Sequence, residues 1–218
     1  MIGSSIELIA PTEKELKEAD KIASSIGCRT IYVAPNLVQI AGVARNLSGG
    51  KYAIYVMVDS PKGSKYGMDK FKGTSTDFFL ADGYDITLTP GRSNHETIQE
   101  IVSIHSFMKQ MISPHVDVCY TINASMRTDE QLECLAKTFY SNPPTKIKME
   151  SSPTVQPTKA NLEVHKNNIK TIRNFCTAPL VVSGNINYNI YDELRSSYKI
   201  AISTKQYEQM KKQKEVKK

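Results

Sequence analysis

IELIAPTEKELKEADKIASSIGCRTIYVAP, residues Ile6 to Pro35, sets two short β-rich runs on either side of a charged amphipathic stretch. Thr12 followed by Glu15 is a helix-start pairing, a hydroxyl that can cap a free backbone N–H with a carboxylate reaching back, and Gly27 supplies a left-handed stop. Strand, helix, strand in this order predicts two parallel strands joined by a right-handed crossover.

The rhythm recurs down the chain. RTIYVAP precedes NLVQIAGVARNL, and YAIYVMVDSPKG leads toward a helix expected near Asp69 to Leu80. YDITLT precedes SNHETIQEIVSIHSFMKQMI, started by Ser93 and Glu96, and VDVCYTIN precedes TDEQLECLAKTFY, started by Thr128 and Gln131. TKIKM with KANLEVHKNNIKTIRNF, PLVVSG with NIYDELRSS, and KIAIST with a basic tail bring the count to eight βα units. Eight such units in 218 residues close most economically into an α/β, single-domain (β/α)8 TIM barrel over residues 1–204, followed by a basic helix or tail over 205–218. An open doubly wound sheet is the poorer fit, because the first βα turn, IAPTEKE, has no glycine. In a barrel of this kind chemistry belongs at the C-terminal ends of the strands.

Composition narrows the partners. The net charge is +6, but the segment from Lys205 to Lys218 carries six lysines against Glu208 and Glu215, so the body is nearly balanced. No aromatic or arginine cluster accompanies that basic run, so a solvated terminal helix is expected and nucleic-acid binding is not. No apolar run reaches the length of a membrane span, and MIGSSIELIAPTEKE lacks the charge and apolar stretch of a signal peptide, so a soluble cytoplasmic protein without membrane association is expected. Cys28, Cys119, Cys134 and Cys176 show no paired spacing and read as reduced core thiols; His95, His105, His115 and His165 read as helix-surface or loop residues. No metal site and no cofactor are indicated. SPKGSKYGMDKFKGTS, Ser60 to Ser75, holds four lysines and reads as solvated surface.

Three strands depart from the continuous apolar pattern of a sheet covered on both faces. One parity carries Asp85, Thr87 and Thr89; the next strand carries Asp117, Cys119, Thr121 and Asn123; the third carries Lys146 and Lys148. The opposite, apolar parity belongs under the helices, which turns the polar parity toward the barrel axis and predicts Asp85, Asn123 and Lys148 within reach of one another at the mouth. A lysine beside a carboxylate inside a barrel is either a self-neutralising ion pair or an amine that attacks a carbonyl to form a Schiff base. In the second case Asp85 moves protons, and Lys146 either lowers the pKa of Lys148 as a second cation or pairs with Asp117 deeper in the barrel.

With these residues in view, the chain resembles the 2-deoxyribose-5-phosphate aldolase family of class I aldolases, as a divergent member. LIAPTEKELKEADKIASSIGCRTIYVAP is similar to that family's opening strand, helix and second strand, VDSPKG to its Pro-x-Gly loop, YDITLTPG to its fourth strand and TINASMRTDEQLECLA to its fifth strand and helix. IKMESSP is similar to its Lys-Thr-Ser-Thr-Gly segment, VVSGNI to its Ser-Gly-Gly-Ile phosphate loop and IAIST to its last strand. The resemblance implies a barrel in which Lys148 is the Schiff-base lysine and Asp85 the proton-transfer carboxylate; Lys146 stays a third catalytic candidate from its position on the strand, one inward step below Lys148. Substrate contacts then fall to Thr121 and Asn123, and to Ser183, Gly184, Asn185 and Ser203, where backbone N–H groups at the ends of strands seven and eight would hold a phosphate or other anion. The departures are as clear. The family's second catalytic lysine falls at Val181, its strand-one aspartate at Ser5, its strand-two cysteine at Tyr32 and its strand-five glutamate at Asn123. Two functions follow: a Schiff-base lyase acting on a small aldehyde or sugar phosphate, or a catalytically degenerate barrel that serves as a ligand-binding or protein-interaction module. Self-association into a homo-oligomer is left open.

Overall fold

The computed structural model describes residues 5–60, 63–72, 80–151 and 158–216. Its eight strands are β1 (Ile6–Ala10), β2 (Thr30–Val33), β3 (Ala53–Val58), β4 (Gly83–Thr87), β5 (Asp117–Asn123), β6 (Lys146–Glu150), β7 (Leu180–Ser183) and β8 (Lys199–Ser203). All neighbours pair in parallel, and β8 returns to β1, so the sheet closes into a barrel in chain order. The predicted (β/α)8 fold is the observed one.

Seven α-helices are described: α1 (Glu13–Ile26), α2 (Val38–Ser48), α3 (Asn94–Phe107), α4 (Asp129–Ser141), α5 (Lys159–Arg173), α6 (Tyr188–Leu194) and α7 (Thr204–Val216). Their starts follow local chemistry. Ser93 and Thr128 each accept from the backbone N–H three residues on, while Glu96 and Gln131 reach back to the cap residue's own N–H. Thr12 caps α1, although Glu15 accepts from the Thr12 hydroxyl instead of returning to its backbone, and Gly27 ends the helix at φ 66°. The helix expected near Asp69 to Leu80 is a 3₁₀ turn, Gly67–Phe71, where it is described, and residues 73–79 lie outside the described residues.

Alternation divides the strands between two cores. Ile6, Leu8, Ile31, Val33, Ile54, Ile86, Ile147 and Ile200 pack outward under the helices. Tyr32, Tyr55, Met57, Cys119, Val181 and Ala201 form a separate cluster inside the barrel. Gly83 stands on the inward parity because of the Tyr55 ring, which a Cβ there would meet at 2.8 Å.

Three expectations about the surface need correction. The basic segment expected as a solvated terminal helix is helical, but as α7 it docks on the barrel and buries Thr204, Tyr207 and Met210. Lys70, assigned to solvated surface, is fully buried: its ammonium meets Asp59 at 2.9 Å, Glu100 at 3.2 Å and Thr89 at 3.1 Å, a set of acceptors that replaces water. His165 is buried between α5 and β7 rather than exposed. The four cysteines are free thiols, three of them buried, and burial pushes Cys28 up to about 11.

Candidate active site

Two tiers of charge cross the barrel interior. In the upper tier Lys148 of β6 donates directly to Asp85 of β4, and Asp85 also accepts from Thr121 of β5 at 2.5 Å. The pair is almost sealed, with side-chain exposures of 3% for Lys148 and 0% for Asp85. The Tyr32 ring lies over the amine at 4.5 Å, close enough for its electron-rich face to stabilise a cation. Burial is the strongest single influence on the Lys148 amine and pulls it down, but the Asp85 carboxylate, Cys119 and Glu150 together outweigh it, so the amine is held above its usual value. At rest this is an ammonium–carboxylate pair.

In the lower tier Lys146 donates to Glu7 of β1 at 2.9 Å and to Thr30 of β2 at 2.8 Å, beneath the Tyr55 ring at 4.6 Å. Sequence parity allowed a pairing with Asp117. Asp117 instead accepts from the Tyr55 hydroxyl at 2.6 Å, and Glu7, whose side chain projects across the axis from β1, takes the lysine. Tyr32 joins the tiers, its ring on Lys148 and its hydroxyl donated to Glu7 at 2.5 Å. Burial, reinforced by the Glu7 charge, drives that phenol far upward, so it remains a donor. The role foreseen for Lys146, lowering its neighbour's pKa, has no geometric basis here, because a carboxylate of its own neutralises it and Lys148 is held above its usual value, not below.

Around the mouth the remaining candidates separate. Asn123 sits one inward step above Thr121 in register with Glu150, and its amide oxygen accepts from Ser125 at 2.8 Å, so it lies above Lys148 rather than on it. Ser183 is fully buried, and its hydroxyl has no hydrogen-bond partner among the described residues. Gly184, at φ 112°, turns tightly against Ser151, where a Cβ would lie 2.2 Å from the hydroxyl oxygen. Gly184, Asn185 and Ser203 line a depression of about 320 Å³ with Ile9, Glu150 and Gln206. Two of the backbone groups there are already taken: Gln206 accepts from the Ser203 N–H at 3.1 Å and donates to the Gly184 carbonyl at 2.8 Å.

Among solved structures, deoxyribose phosphate aldolase from Aeropyrum pernix, described as tetrameric, superposes with a TM-score of 0.73 at 14% identity, covering 99% of this chain and 92% of that one. The fold is shared with deoxyribose phosphate aldolases. The aldolase QR15 gives 0.67 at 14% identity over 93% of this chain and 91% of its own. The tryptophan synthase α-subunit of Campylobacter jejuni, a barrel of another activity, gives 0.56 at 13% over 91% and 85%. No family model and no curated protein matches the chain.

Of the three residues that parity places together at the mouth, Lys148 and Asp85 are in contact and Asn123 is not; Thr121 takes its place on Asp85, while Lys146 belongs to the tier below. Val181, where the family resemblance expects a second lysine, is buried in the interior cluster beside Tyr32 and Cys119. Sequence reasoning passed over Glu7, Glu150 and Gln206. Glu7 and Glu150 do carry a signal, since each lies on the inward parity of its strand. Gln206 carries none, because its place depends on how α7 docks. Among the described residues no cluster of His, Cys, Asp and Glu could hold a metal ion, and no helix is long and apolar enough to cross a membrane.

Proposed function

We propose that this chain is a Schiff-base lyase of the class I aldolase type, acting on a small carbonyl compound. The observation that carries the reading is the direct contact between the Lys148 ammonium and the Asp85 carboxylate at the middle of β6 and β4, inside a barrel whose fold is shared with deoxyribose phosphate aldolases. The contact provides what an amine nucleophile needs, an adjacent acceptor for its proton. Lys148 passes a proton to Asp85, and the freed amine adds to the carbonyl carbon while one of its own N–H protons moves to the carbonyl oxygen. Asp85 returns its proton as that oxygen leaves as water, giving the iminium. The iminium then draws electrons from the adjacent carbon–carbon bond as the Asp85 carboxylate takes the proton of the hydroxyl beyond it, releasing an aldehyde; the enamine left on Lys148 takes that proton back on carbon, and water hydrolyses the resulting iminium to the second carbonyl product and the free lysine. Thr121 fixes the Asp85 carboxylate by its short hydrogen bond, and Tyr32 covers the amine from the other side.

A second reading, a barrel that binds a ligand or partner without turnover, is favoured by Val181 and by the raised pKa of Lys148. Borohydride reduction in the presence of a panel of small aldehydes, read by intact mass, separates the two. A lyase gains the mass of one reduced adduct, which Lys148→Ala abolishes with the fold intact. No adduct with any member of the panel leaves the binding barrel.

A further inference from the structure

We infer that the far end of the substrate is a hydrogen-bond donor, a hydroxyl or an ammonium group, and that Glu150 selects it against a phosphate. The inference rests on the Schiff-base reading for where the substrate's carbonyl lies. Lys148 and Glu150 project from the same face of β6, two residues apart, or about 6–7 Å along the strand. A carbonyl carbon placed on the Lys148 amine therefore sends the rest of a short chain outward past Glu150 into the depression bounded by Ile9, Gly184, Asn185, Ser203 and Gln206.

The groups waiting there have the wrong character for an anion. The two lysines beneath are already neutralised, Lys148 by Asp85 and Lys146 by Glu7, so neither lends positive charge to the mouth. The backbone N–H of Ser203, which a phosphate oxygen would need, is given to Gln206, and that same amide ties down the Gly184 carbonyl. Glu150 is half-buried and forms no hydrogen bond with any described residue, although it lies within electrostatic reach of Lys148 and Asp85. A carboxylate left without hydrogen-bond donors at the edge of a pocket gains from a hydroxyl or ammonium that reaches it, and a dianion brought beside it suffers both repulsion and desolvation.

The test measures equilibrium binding of 2-deoxyribose and 2-deoxyribose 5-phosphate to the full chain by ligand-observed NMR, which requires no turnover. The unphosphorylated sugar should bind at least tenfold more tightly. Glu150→Gln should narrow that preference and Glu150→Lys should invert it, with circular dichroism checking each fold; Glu150→Gln, nearly isosteric, decides the matter should the lysine variant not fold. Equal or tighter binding of the 5-phosphate, no binding of either sugar, or a preference indifferent to both substitutions would overturn the inference. Borohydride trapping at Lys148 is read on the same samples: an adduct without selectivity sinks the Glu150 inference alone, and selectivity without an adduct sinks the lyase reading alone.

Discussion

At Lys148 two opposing influences set the chemistry, burial pressing the amine toward neutrality and Asp85 holding it charged. Because the charge wins, the free amine is scarce at neutral pH, and the trapping rate should climb through the alkaline range without levelling off near pH 7. Asp85→Asn removes the dominant upward influence and leaves burial in command. The Lys148 pKa should then fall, moving the rise in trapping rate to distinctly lower pH, while the maximal rate drops for want of a proton acceptor. A pH–rate profile of both proteins checks this; superimposable profiles would mean that Asp85 does not control the amine. Lys146 calls for the opposite result. Lys146→Met strands the nearly buried Glu7 carboxylate, which should cost on the order of 3 kcal/mol in urea unfolding and leave the pH midpoint of trapping at Lys148 unmoved.

At the scale of elements, β4, β5 and β6 were readable in advance because strict alternation permits one assignment of faces once the apolar parity is placed under helices. The same rule extended to β1 finds Glu7 and extended one step along β6 finds Glu150. What alternation cannot give is which charge on one strand meets which on another. That depends on stagger and side-chain length across the axis, and it is why Lys146 meets Glu7 and not Asp117. α7 was obscured by its lysines, since only Thr204, Tyr207 and Met210 are buried against the barrel, with Gln206 bonded to Ser203 and Gly184, and most of the charged residues between them are exposed. Lys70 illustrates the same limit in a loop. Asp69 and Lys72 beside it are charged and exposed, yet it bridges Asp59 after β3 to Thr89 after β4 and Glu100 of α3. Lys70→Met should leave two buried carboxylates facing each other and lower the unfolding free energy by about 3–5 kcal/mol, visible as a reduced urea midpoint at an unchanged slope. A loss within a few tenths of a kcal/mol would mean that water takes over the role of the lysine.

For the whole molecule, the histidine buried behind the barrel wall sets how the fold responds to acid. His165 packs beside Leu162, Val182, Ile186 and Leu194, and its Nε2 has no hydrogen-bond partner among the described residues. Burial lowers its pKa from 6.5 to about 4, and burial lowers His105 as well. The folded state therefore binds fewer protons at this site than the unfolded chain between those values, so stability is full above pH 6.5 and declines as the pH falls toward 4. Each tenfold loss of proton affinity on folding is worth about 1.4 kcal/mol, so His165 alone should remove about 2 kcal/mol between pH 7 and pH 4.5. Urea unfolding at the two pH values measures the loss. His165→Leu keeps an apolar side chain in the site and removes the titration, so it should flatten this part of the acid limb even if packing changes alter the stability at pH 7. An acid limb equally steep in that variant would mean that His165 is not the source of the sensitivity.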